Sequence, residues 1–189
     1  MTQALQRAAI TGDDFRYAFR AHPAGVAIVT ADDGSGPVAM TVSSVASVSM
    51  DPPTLVFSAS ALSSSTPTIT RVGTLVVHLL SAQDVELAKL CAQSGSERFG
   101  PLVDWRRLPT GEPYYPDAHW LRGKVTQRVA VSGATLLIVE ALEGKPRSEG
   151  PRSEPTPLVY HSRKWHTLGE RSVMPERVSP FCLVYGRDE

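Results

Sequence analysis

The chain has 189 residues, 42% of them hydrophobic and 20% charged, which suffices for one substantial core and hardly for two. Nineteen Lys and Arg balance nineteen Asp and Glu, so no broad field draws the protein to nucleic acid or to an anionic membrane. No apolar run approaches the roughly 20 residues of a membrane-spanning helix. The opening "MTQALQRAAITGDDF" lacks a basic start followed by an apolar signal core, and Cys91 and Cys182 form no CxxC pair. These features lead to the expectation of a cytoplasmic protein with reduced thiols.

In chain order, "TGDDFRYAFRAH" predicts a helix. Thr11 stands three residues before Asp14 in a capping-box arrangement, and Phe15 and Phe19 share one face. "GVAIVTA" and "PVAMTVSSVASVSM" read as strands joined by the hairpin signal "DDGSG", and "TLVFSAS" follows Asp51-Pro52-Pro53 as a third. "SSTPTITRVG" predicts a short helix, with Ser65 as N-cap, Pro67 in the first turn and Gly73 as the stop. The strand "TLVVHLL" leads to the helix "SAQDVELAKLCAQSG", where Ser81 and Asp84 have capping spacing. Val85, Leu87, Ala88, Leu90 and Cys91 supply its apolar stripe, and Gly95 follows the end. Two long strands, "HWLRGKVTQRVAV" and "TLLIVEAL", flank a turn at Ser132-Gly133, and "PLVYH" is the last strand. "KPRSEGPRSEPTP" has almost nothing to bury and reads as a mobile surface loop. The apolar "PFCLVYG" near the end is a segment for folding back onto the body or onto a second subunit. Mostly antiparallel strands with few helices favour a barrel over a doubly wound sheet.

The sequence holds no GxGxxG after a strand, no Walker loop, no GxSxG elbow and no HExxH. The five histidines give no tight ligand cluster, and His161 and His166, five apart, read as structural or surface residues. Cys91 belongs to a helix's apolar face. The unusual stretch is 39–60, whose first half carries Thr41, Ser43, Ser44, Ser47 and Ser49 where a core strand would alternate more cleanly. Two readings fit those small hydroxyls: an exposed sheet edge, or a pocket wall that approaches a flat polar ligand closely. "SASALSSSTPTI" poses the same choice. It reads either as a loop capping its own helix or as an anion cradle.

The ordered series Pro-Ala-Gly-Val, Met-Thr-Val-Ser-Ser, Ser-Val-Ser-Met-Asp-Pro-Pro and Ser-Ser-Thr resembles the flavin reductase-like family, and the likeness continues through "SERF" and "PLVYHSRKWHTL". It covers residues 13–168, leaving 1–12 as an extension and 169–189 as a tail. The resemblance implies a mainly β fold, the FMN-binding split barrel, a six-stranded antiparallel Greek-key barrel with peripheral helices, as a homodimer. It implies an NAD(P)H:flavin oxidoreductase that binds FMN or FAD and supplies reduced flavin to a partner monooxygenase. By family position Thr41, Val42, Ser43 and Ser44 line the flavin ring and ribityl side, with Ser47 and Ser58 beside them. Ser64, Ser65 and Thr66 match the phosphate stretch, whose positive charge must come from the helix end, from Arg71 or from a more distant residue. Phe99, with Arg98, approaches from a loop. Trp105, Tyr114 and Tyr115 then either cover the site or anchor that loop.

No catalytic side chain is implied, because hydride transfer between stacked rings needs alignment rather than an acid or base. Two departures stand out: Ser132-Gly133-Ala134 replaces the Gly-Asp-His of many relatives, and His78 stands where Asn is common. The first bears on use of the hydride donor. The alternative reading is a non-catalytic split-barrel carrier of flavin, or of haem with His78 or His161 as ligand.

Overall fold

A computed structural model describes residues 9–94, 97–145 and 155–174. Gly95, most of "KPRSEGPRSEPTP", "PFCLVYG" and Cys182 lie outside the described residues.

The first element is α1 (Gly12–Arg20), closed by the expected capping box. The Thr11 hydroxyl accepts from the Asp14 N–H at 3.2 Å, and the Asp14 carboxylate accepts from the Thr11 N–H at 3.0 Å. The strands β1 (Ala24–Gly25), β2 (Ala27–Asp32), β3 (Pro37–Val42), β4 (Ala46–Met50) and β5 (Pro53–Ser60) follow. Then come α2 (Thr66–Arg71), β6 (Thr74–Leu79) and α3 (Val85–Ala92). The chain continues through β7 (Arg106–Arg107), β8 (Pro113–Tyr114), β9 (His119–Val131), β10 (Ala134–Gly144), β11 (Leu158–His161) and β12 (Lys164–Thr167).

Seven strands form the principal sheet in the order β3-β2-β6-β9-β10-β5-β4, antiparallel throughout. Six sequence segments supply those seven strands, because the segment expected as one strand over 37–50 breaks after Val42 and resumes at Ala46. Its halves occupy opposite edges of the sheet. A flat sheet of this width would hold its edges about 29 Å apart, whereas four residue steps span at most about 14 Å. The sheet is therefore rolled. The Ser44 hydroxyl sits in the break, accepting from the Ser58 N–H at 2.9 Å and donating to the Ser58 carbonyl at 3.2 Å.

Inside the roll lie Val29, Phe57, Leu75, Val77, Leu137 and Val139, with Ile69 of α2 packed among them. A second cluster on the outer face joins Ile28, Leu80, Ala88, Cys91, Tyr115 and Leu158. β2 serves both clusters, which explains its unbroken apolar run. Both hairpin turns form as expected. At the first, the Asp32 carboxylate accepts from the Gly34 and Gly36 N–H groups, whose φ values are +96° and +122°. At the second, Gly133 takes φ +77°. β1, β11 and β12 make a small separate sheet beside α1, and β7 pairs with β8.

Candidate functional site

β3 is an edge strand, so half its backbone polar groups face away from β2. The Ala39 carbonyl identifies which half, since it points outward to the Ser65 hydroxyl at 2.8 Å and to the Arg98 guanidinium. A strand turns the N–H and C=O of one residue the same way and repeats every second residue. Thr41 therefore presents its N–H and C=O outward as well. The surface it faces is a cleft of about 470 Å³. Met40, Thr41, Val42, Ser43 and Ser44 form one wall, Ser58 and Ser60 the second, and Leu62, Ser63 and Ser64 the end. Cys91, Ala92, Ser94 and Arg98 complete it.

Some of the expected hydroxyls are already engaged. Thr41 donates to the Ala88 carbonyl at 2.7 Å, tying β3 to α3, and Ser44 holds Ser58 as above. Ser65 is buried against Ala39, and Thr66 is buried and donates to the Ser60 carbonyl at 2.6 Å. Ser65 occupies the N-cap position of α2 but makes no side-chain cap bond, in contrast to the expected capping. The side chains of Ser43 and Ser64 are exposed at the cleft. Ser65 and Thr66 thus shape the end of the cleft, while Ser64 faces into it. Ser47 lies on β4 and lines neither this cleft nor its neighbour.

The neighbouring cleft, about 500 Å³, shares Ser64 and Arg98 and adds Pro37, Val38, Ser65, Glu97 and Phe99. Arg98 is the cation at this junction. Its guanidinium donates to the Ser65 hydroxyl at 2.8 Å and to the Gln93 carbonyl at 2.6 Å. Arg71 instead pairs with Asp33 on the far side of α2, beside the first hairpin. Nothing in the sequence around Ser65 signals that Arg98, 33 residues further on, bonds to its hydroxyl.

The loop carrying Arg98 and Phe99 rests on Tyr115. The Phe99 ring stacks on Tyr115 with centroids 5.7 Å apart at 11°, and Trp105 meets Phe99 edge-on at 5.1 Å. Tyr115 and Trp105 are anchors, then, while Tyr114 packs against Trp120. The Tyr115 hydroxyl donates to the Arg98 carbonyl at 2.9 Å and lies 3.4 Å from the Cys91 sulfur. Burial pushes the pKa values of both Tyr115 and Cys91 up, which keeps them neutral.

His78 is fully buried. Its Nδ1 lies 3.1 Å from the Ile28 carbonyl, and its Nε2 lies 3.0 Å from the Tyr115 backbone N–H. A carbonyl requires N–H at Nδ1 and an N–H donor requires a lone pair at Nε2, which fixes the neutral tautomer. Burial pushes its pKa down to about 4 against the opposing bond to Ile28. Both nitrogens are used, so the reading of His78 as a haem ligand is corrected: it is a core histidine. The His161 and His166 rings lie 5.7 Å apart, and no three His, Cys, Asp or Glu among the described residues gather as a metal site.

A cleft walled by an edge strand's amides and small hydroxyls, closed at one end by an arginine, suits a flat heteroaromatic ligand with an anionic tail. The profile of the flavin reductase like domain matches residues 19–169. The chain belongs to the flavin reductase-like family. It is 38% identical over 158 residues to an NADH:FMN oxidoreductase of Rhodococcus qingshengii, covering 83% of this chain and 82% of that one. It is 32% identical over 159 residues to a flavin reductase (NADPH) of Lentzea aerocolonigenes, covering 82% and 89%. The crystal structure of a flavin reductase domain protein from Arthrobacter sp. FB24 superposes with a TM-score of 0.78 at 31% identity, covering 89% of this chain and all of that one.

Proposed function

We propose that the chain is an NAD(P)H:flavin oxidoreductase that binds FMN in the β3–α2 cleft and supplies reduced flavin to a partner monooxygenase. The carrying observation is the convergence of the outward Thr41 amide, the exposed Ser43 and Ser64 hydroxyls and Arg98 on one cleft. Bound flavin supplies the hydride acceptor; the chain supplies binding and orientation. Thr41 and Ser43 meet the polar edge of the ring, with Ser58 behind them. Ser64 and Arg98 meet the phosphate, a charge-assisted contact worth about 1.5–3 kcal/mol.

The relatives named above use NADH in one case and NADPH in the other, and the flavin reductase component of a two-component tryptophan halogenase shares the fold at TM-score 0.72. These support the donor class and the role as a supplier of flavin. A homodimer is supported by apolar side chains left exposed on β4 and at the free end of β9, namely Val48, Met50, Val129 and Val131. Among the described residues no helix is long and apolar enough to cross a membrane. We assign residues 13–168 to the flavin-binding domain and the protein to the cytoplasm.

The test is FMN-dependent oxidation of NADH or NADPH by the purified chain. Turnover with either donor supports the reading. Tight flavin binding without turnover would instead support a carrier. One feature favours that second reading: Ala134, paired with Ser60 beside the cleft, carries no imidazole.

A further inference from the structure

A third cleft, of about 950 Å³, lies between α1 and the β11–β12 hairpin and meets the flavin cleft at Ser43 and Ser44, which line both. In a chain with equal numbers of acidic and basic residues, this cleft is lined by Arg16, Arg20 and Arg163, with His22 and His161, and by no carboxylate among the described residues. Arg16 is paired with Asp13 at 2.7 Å. Arg20 and Arg163 are both exposed, and their guanidinium groups make no ion pair among the described residues.

The fold brings those two arginines to one lip. Ser162 and Arg163 form the hairpin turn with φ of +50° and +62°, a conformation that glycine and asparagine usually supply. The Ser162 N–H docks on the Arg20 carbonyl at 3.1 Å. A Ser-Arg turn thus places an arginine beside the end of α1, where Asn-Gly would form the turn more readily and leave no cation. In the same cleft, Phe15 and Phe19 pack ring to ring at 4.5 Å and remain more than half exposed. Two free guanidinium groups suit a diphosphate, and exposed aromatic faces suit a purine.

We propose that this cleft binds an adenosine diphosphate group, that of the reduced nicotinamide donor. Arg20 and Arg163 meet the diphosphate, the Phe15–Phe19 pair meets the adenine, and the nicotinamide end reaches the flavin cleft past Ser43 and Ser44. The assignment to the donor rests on the flavin reductase reading of the adjoining cleft. FAD carries the same adenosine diphosphate chemistry, and the test separates the two sources.

The experiment titrates 5′-ADP calorimetrically into the FMN-saturated full chain and into its Arg20→Gln/Arg163→Gln variant. Both side chains are exposed, and melting curves of the two proteins establish that the variant folds. The expected result is ADP binding to the wild type, weakened about tenfold or more in the variant, as for loss of charged hydrogen bonds. The KM for NADH or NADPH rises in parallel, and the ratio of FAD to FMN affinity stays as in the wild type. Unchanged ADP affinity in the variant overturns the proposal. So does a lost preference between FAD and FMN with an unchanged donor KM, which would give the cleft to the flavin. A wild type that binds ADP through these arginines yet reduces no flavin would refute the reductase reading while upholding the cleft's ligand class.

Discussion

The Tyr115 hydroxyl donates to the backbone carbonyl of Arg98 at 2.9 Å, so a buried ring of the outer core fixes the residue that brings positive charge to the cleft walled by β3. Tyr115→Phe keeps the stack on Phe99 and removes that bond together with the weaker contact to the Cys91 sulfur. The expected stability loss is about 1 kcal/mol. Because Arg98 is then less firmly held, FMN affinity falls about three- to tenfold while riboflavin affinity changes little. Parallel titration of the two flavins checks this, and equal losses for both would make Tyr115 a purely structural residue.

Arg98 itself gives the larger effect. FMN and FAD share the phosphate that Ser64 and Arg98 are placed to meet, so both bind the wild type far better than riboflavin does. Arg98→Gln lowers FMN affinity by about ten- to a hundredfold, the equivalent of one charged hydrogen bond, and leaves riboflavin binding near its wild-type value. Equal wild-type affinities for riboflavin and FMN would move the phosphate site elsewhere.

His78 links acidity to stability. Its folded pKa, pushed down to about 4 by burial, lies below the unfolded value of about 6.5. Between those pH values the unfolded chain binds a proton that the folded chain refuses, so stability falls as pH falls through the window, by up to about 3 kcal/mol at pH 4. Urea midpoints measured from pH 7 to 4 report the loss. His78→Asn can still donate to Ile28 and accept from Tyr115 but does not titrate, and its midpoints stay flatter. Below this window Glu112 adds a second loss. Burial raises its pKa, but bonds from Thr110, Thr74 and Arg122 outweigh that and hold it at about 2. Its contribution is complete above pH about 4.5 and disappears as pH falls from there towards 2.

Gly123 is required by space rather than by backbone angle. A Cβ there would stand 2.3 Å from Val139 Cγ1 and 2.9 Å from the Glu140 carbonyl, on the strand β10 with which β9 pairs. Gly123→Ala is expected to destabilise the protein by about 1–3 kcal/mol. Adding Val139→Ala relieves the first contact and not the second, so thermal unfolding of the double variant shows partial recovery at most.

Local chemistry made much of this legible in advance. The Thr11–Asp14 and Ser81–Asp84 capping pairs, the turns at Gly34 and Gly133 and the buried face of α3 at Cys91 depend on residues a few positions apart. The hydroxyl-rich stretch held both answers at once: Ser44 stitches the break between β3 and β4, and Ser43 faces the cleft. What the sequence hid is long-range. The break after Val42 sends its halves to opposite edges of the sheet, Ser65 turns from capping α2 to holding Ala39, and Arg98 is held at the cleft by Ser65, Gln93 and Tyr115. β12 has little signal in the sequence because "KWHT" is short and alternates weakly, and its pairing with β11 is what forms the arginine-bearing turn.

The most direct measurement is rapid anaerobic mixing of the FMN-loaded chain with NADH, and separately with NADPH, followed by the absorption of oxidised flavin. The account predicts loss of that absorption at a rate that saturates with at least one donor and far exceeds the rate for free FMN. A flavin spectrum left unchanged by both donors, in a chain that holds FMN, would contradict it.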